Sequence, residues 1–192
     1  MLSTELQLAL APAHTYGRLV ASGEGSRAGV FGPLAFSALA TALTVTFLSA
    51  RWATLELVAI VGASWSFTLA LQAVAACAVI LPSRRRVGLA RAFELFFLGH
   101  APWTLFMLAV GALAIAGQGA FGAITGVIVS GVLPTIWTGI IVAAFTRVVL
   151  AAGPGEASLR AVFHQVLIWT FGLSYIAWAA GGWMRIVQAV TP

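Results

Sequence analysis

Residues 95–146 pass without a single acidic residue, lysine or arginine, 52 positions in a row. A helix needs about 20 apolar residues to cross a hydrocarbon core of roughly 30 Å, so this run is too long for one crossing and long enough for two. The segment "AGQGAFG" at 116–122 divides it, because its glycines and Gln118 form the polar, flexible break inside the run. Three more stretches between charges meet the same length test, at 28–50, 57–83 and 161–184. The chain therefore reads as all-α, a polytopic membrane protein built as a bundle of five transmembrane helices.

Composition agrees, since 61% of the residues are hydrophobic and 8% are charged, against roughly 25% charged in soluble domains. The net charge of +5 comes from ten arginines, with no lysine and no aspartate. That balance is too thin for a nucleic-acid surface. One thiol, Cys77, allows neither an internal disulfide nor a cysteine metal site. The start of the chain lacks the basic region and long apolar run of a secretory signal, so the first residue is expected to remain in the mature protein.

The helices are predicted at about 29–50, 54–81, 93–116, 121–150 and 158–184. Pro134 in the fourth predicts a kink or local unwinding, and Pro102 a bend in the third, both tolerated where neighbouring helices satisfy the freed carbonyl. Residues 1–27 form a cytoplasmic N-terminal arm and 28–192 the five-helix transmembrane domain. In the arm, Pro12 can start a short helix with Tyr16, Leu19 and Val20 on one face and His14 and Arg18 away from it. That pattern predicts an interfacial helix lying on the cytoplasmic surface.

Orientation follows from arginine. Arg18 and Arg27 precede the first span, Arg84, Arg85, Arg86 and Arg91 follow the second, and Arg147 and Arg160 follow the fourth; the opposite side has Arg51 and Arg185. The excess places the N-terminus in the cytoplasm and the C-terminus outside. In "LPSRRRVGLARAFE", Pro82 ends the second span, the arginines hold the loop in the cytoplasm, and Arg91 with Glu94 opens the third span. Contact of the same arginines with anionic headgroups adds about 1 kcal/mol each. Trp52 and Trp183 fall at outer ends, where amphipathic rings prefer the headgroup level, while Trp65, Trp103, Trp137 and Trp169 supply bulk inside spans.

Chemistry-bearing residues are scarce. The five glutamates lie at span ends or in loops, and no metalloprotease, Cys-x-x-Cys, nucleophile-elbow or phosphate-loop pattern occurs. His14 and His164 fall near the cytoplasmic boundary, which leaves His100 as the deep ionisable residue: either a neutral ring bonded to another helix or a proton or ligand site. Arg147 snorkels to headgroups, or pairs with Glu94 across helices. Glu156 and Arg160 are spaced to pair in the first turn of the last helix, with Ser158 as a cap. Gly122, Gly126 and Ser130 form a small-residue ridge that lets another helix, or another subunit, approach closely.

Three segments carry a resemblance. "LAPAHTYGRLV" is similar to a P-x-x-T-[FY]-x-x-[LV]-type segment through Pro12, Thr15, Tyr16 and Leu19. "ARAFELFFLGHAPWTLFML" matches a short helix running into a proline at the start of a third span. "IWTGIIVAAFTRVVLAAGPGEASLRAVF" matches a tryptophan, arginine and Gly-x-x-x-Ala-type run through Trp137, Arg147, Gly155 and Ala157 or Ala161. In these the chain resembles the Yip1 family of small five-span membrane proteins, in particular its bacterial members. The resemblance implies five spans, a cytoplasmic N-terminus and a C-terminus on the opposite side. It does not extend to the Tyr-Gly-Pro-type motif of eukaryotic relatives, since Tyr16 and Gly17 are followed by Arg18.

The functional expectation is a non-enzymatic protein of a bacterial inner membrane, an accessory, assembly or scaffolding subunit. Its partners are membrane lipids and other integral membrane proteins or a larger complex. No cofactor, metal or nucleic acid is called for. The alternative is a small transporter or channel, motivated by Pro102, Pro134 and His100.

Overall fold

The computed structural model describes residues 4–23, 54–83, 87–100, 103–106, 108–109 and 124–190, with Ala35, Leu39 and Leu43 besides. Among these residues every element is helical: α1 (Thr4–Leu10), α2 (Pro12–Ser22), α3 (Leu55–Ile80), α4 (Leu89–Leu98), α5 (Ile124–Val148) and α6 (Pro154–Val190), with a 3-10 turn at Leu81–Ser83 after α3. Two helices are long and apolar enough to cross a membrane, α3 with its turn through Ser66–Ser83 and α5 through Gly131–Val148. The described residues thus hold two such helices, not five. Apart from Ala35, Leu39 and Leu43, the first expected span lies outside them, as does the turn at 116–122. The fifth expected span falls within α6. At 37 residues α6 is about 55 Å long at 1.5 Å per residue.

The expected third helix at 93–116 is corrected in two ways. It starts earlier, at Leu89 after Gly88, and it stops at Leu98. The Gly99 N–H turns back to the Phe96 and Phe97 carbonyls, and the His100 N–H bonds to the Phe97 carbonyl at 3.1 Å, which tightens the last turn. A helical turn resumes over 103–106, with Trp103 and Thr104 N–H groups both on the His100 carbonyl. Pro102 itself lies outside the described residues, but the residue before a proline disfavours the α region, and the break falls where that rule puts it. α5, in contrast, continues through Pro134 as an uninterrupted helix. Thr138 Oγ1 donates to the Pro134 carbonyl at 2.7 Å and Thr135 Oγ1 to the Gly131 carbonyl at 2.7 Å.

The arm holds two short helices, α1 and α2, joined at Ala11. Pro12 occupies the first turn of α2, where its missing N–H is no loss. Thr15 Oγ1 donates back to the Gln7 and Ala11 carbonyls at 3.1 and 2.9 Å, tying α2 to α1. Its buried face is Leu8, Thr15, Tyr16 and Leu19, while His14, Arg18 and Val20 are exposed. That face packs on α4 and α5.

The core gathers at this same end. Leu8, Tyr16 and Leu19 meet Ala76, Val79 and Ile80 of α3, Leu95 and Phe96 of α4, Ile141 and Phe145 of α5, and Ala161 of α6. On α5 the buried positions Thr138, Ile141, Val142 and Phe145 follow three- and four-residue spacing. Its opposite face leaves Val132, Leu133, Ile136 and Ile140 exposed, and α6 likewise leaves Leu159, Val162, Phe163 and Val166 exposed. α5 and α6 pack against each other across a short link in which Ala151 takes a left-handed backbone, φ 51°.

Candidate functional site

Two groups of interhelical polar side chains lie one helical turn apart along α6. The first belongs to the core end. A helix leaves its last four carbonyls without intrahelical partners, and here four of them, each from a different helix, receive a side-chain donor from elsewhere. Trp137 Nε1 donates to the Ala9 carbonyl of α1 at 2.6 Å, and Arg91 to the Leu19 carbonyl of α2 at 3.0 Å. Arg160 donates to the Val79 carbonyl of α3 at 2.9 Å and to Ser83 Oγ at 3.0 Å. Tyr16 Oη donates to the Leu95 carbonyl of α4 at 3.3 Å. That last carbonyl is open because the Gly99 N–H has turned to Phe96 and Phe97 instead.

Arginine suits two of these places because its charge also meets the negative end of the helix dipole. Arg91 is steadied by Glu94 at 2.9 Å, and Arg160 by Glu156 one turn before it. Glu94 is therefore engaged by Arg91 rather than by Arg147, which is exposed at the end of α5. Ser158 is not a cap, since α6 begins four residues earlier at Pro154 and Ser158 Oγ donates to the Pro154 carbonyl at 3.1 Å. Burial raises the Tyr16 hydroxyl above its ordinary range, so it stays a neutral donor. Gly99 makes room for it: a Cβ there would sit 2.5 Å from Tyr16 Oη and 2.8 Å from Ile141 Cγ2.

The second group is a histidine layer. α3 brings Gln72, the link after α4 brings His100, and α6 brings His164 and Gln165. Ala157, Ala161 and His164 fall on one buried stripe of α6 at i, i+4 and i+7, and the two alanines let the helix come close enough to carry the imidazole inside. His100 Nδ1 lies 3.2 Å from the Phe96 carbonyl, and Nε2 lies 2.9 Å from the Gln72 amide oxygen. The His100 and His164 ring centres are 6.3 Å apart, edge to face. Phe96 touches both, at 5.1 and 5.5 Å, and its far side meets Phe145, which meets Tyr16. Rings thus run without a gap from the arm to the histidines. Trp103 and Trp169 stand 6.1 Å apart beside Gly131.

His164 is 1% exposed, yet neither of its ring nitrogens has a hydrogen-bond partner, and the Gln165 amide nitrogen has none either. Such orphans are uncommon in folded proteins and each carries a desolvation penalty of about 1–3 kcal/mol. No group of three or more His, Cys, Asp or Glu gathers to hold a metal among the described residues.

Of the positions singled out by sequence, His100 lies in this layer and Arg91 and Glu94 in the core end. Arg84, Arg85, Arg86, Pro102 and Gly122 lie outside the described residues, as do the side-chain surroundings of Gly126 and Ser130 in the first turns of α5. Sequence reasoning missed His164, Gln72 and Gln165 as a group, although the Ala-x-x-x-Ala-x-x-His spacing marks the stripe. No family model, curated protein or solved structure matches this chain.

Proposed function

We propose that the chain is a five-span, non-enzymatic integral membrane protein of Yip1 type, acting as an accessory, assembly or scaffolding subunit that binds lipids or other membrane proteins. Its place is a bacterial inner membrane, with the N-terminus cytoplasmic and the C-terminus opposite. The observation that carries the reading is the outward face of the α5–α6 pair. Ile136 and Ile140 on one helix and Val162, Phe163 and Val166 on the other expose bulky apolar surface over several turns. Apolar area on this scale marks a surface that meets lipid or protein rather than water. Short loops leave little polar surface with which to act on anything soluble.

Extraction in a mild detergent, followed by identification of what stays bound, tests it. Retained membrane subunits or a stoichiometric lipid are the expected outcome; a bare monomer that keeps neither overturns it.

A second reading, a small transporter or channel, is favoured by one observation: the unpaired polar groups of His164 and Gln165 lie between helices rather than at their ends. Solute or ion flux in proteoliposomes, abolished by His164→Ala, is the result that reading requires.

A further inference from the structure

We propose that the histidine layer is a proton-binding site in which His100 and His164 together take up one proton, and the Gln72 amide turns over to accept it. The inference rests on the geometry of four side chains and goes beyond the scaffolding reading, which can fail without affecting it.

The Phe96 carbonyl can only accept a hydrogen bond, so His100 Nδ1 carries a hydrogen at that 3.2 Å contact. What Nε2 carries then depends on Gln72. Nε2 lies 2.9 Å from the Gln72 amide; when the amide oxygen faces it, Nε2 must also donate, and the ring is an imidazolium. With the amide rotated by a half-turn, the NH2 group donates to a bare Nε2, and the ring is neutral. The two states have the same packing and differ by one proton and one amide rotation, which makes a compact two-state element. The chemical step is simple: a proton from bulk water adds to the lone pair on Nε2, and no bond is broken. Gln72 is half-buried on α3.

The groups that face the pair fix how many protons it holds. α6 presents His164 and Gln165, α3 presents Gln72, and α4 presents Phe96 and Phe97. On α5 the nearby Thr138 hydroxyl is spent on the Pro134 carbonyl. Of the charged residues on these elements, Arg91 pairs with Glu94 and Arg160 with Glu156 at the core end, Glu56 is exposed in the first turn of α3 and Arg147 is exposed in the last turn of α5. Two imidazolium rings at 6.3 Å with no carboxylate between them repel strongly in a low-dielectric interior. One proton is accommodated; a second is not. His164, with both nitrogens unpaired, is the place from which or to which the proton moves.

The test uses the full chain in lipid nanodiscs with His14→Gln, so that two rings remain, and nitrogen-labelled histidine and glutamine. Ring and amide signals are followed from neutral to acid pH while circular dichroism monitors the helices. The expected result is one imidazolium per chain, with the Gln72 side-chain signals moving at the same midpoint. Gln72→Glu, whose carboxylate can only accept, holds one ring as imidazolium at neutral pH. Two rings that stay neutral as long as the helices persist, two protons taken up, or a Gln72 signal that ignores the ring each overturn the proposal. If the Glu variant fails to insert, the wild-type titration alone decides.

Discussion

At the core end of the bundle, Trp137, Arg91, Arg160 and Tyr16 each place a donor on a terminal helix carbonyl, whereas one turn beyond Arg160, His164 keeps both ring nitrogens unpaired. Both regions bring polar side chains between helices. They differ in what the polar atoms accomplish. At the core end each donor satisfies a carbonyl that the helix geometry leaves open, so the polar groups hold the arm, α3, α4 and α5 in register. In the histidine layer His100 is bonded, while His164 and the Gln165 amide nitrogen add desolvation without a matching bond, and each such orphan calls for an explanation.

Phe96 joins the two regions, touching Phe145 on one side and both histidines on the other. Phe96→Ala opens a cavity shared by both and is expected to lower stability by about 3–5 kcal/mol, read as a fall in thermal unfolding midpoint in lipid. Gly99→Ala acts on the core end alone. The added methyl cannot coexist with Tyr16 Oη and Ile141 Cγ2 where they stand, so a loss of about 1–3 kcal/mol is expected, with the arm becoming sensitive to protease. Tyr16→Phe leaves the ring in place and strands the Leu95 carbonyl. The loss is about 1 kcal/mol, and retention of protease resistance in the arm would show that packing rather than capping holds it.

Much of the fold was legible because charge and apolar runs alternate at the scale of a bilayer. α3 and α5 were expected at about 54–81 and 121–150 and run Leu55–Ile80 and Ile124–Val148. The start of α2 at Pro12 was visible for a local reason, the fixed φ of proline. α1 was not, since seven residues give too little pattern. The break after Leu98 was written in "GHAP", but a bend and a break share the same letters. Capping at a distance was invisible: the acceptors are backbone carbonyls, which any residue supplies, and Trp137 lies 128 positions from Ala9. His164 looked peripheral because it sits four residues after Arg160, and only packing shows that Arg160 turns toward α3 while His164 turns inward.

The contrast between the two regions is tested most directly by His164→Leu, a replacement of similar size that removes the unpaired nitrogens. In lipid nanodiscs the variant is expected to unfold at a temperature equal to or above that of the wild type, by up to about 1 kcal/mol of added stability, because apolar atoms need no partners. A fall comparable to that of Phe96→Ala would contradict the account, and would mean that His164 holds the bundle together as firmly as the capped helix ends do.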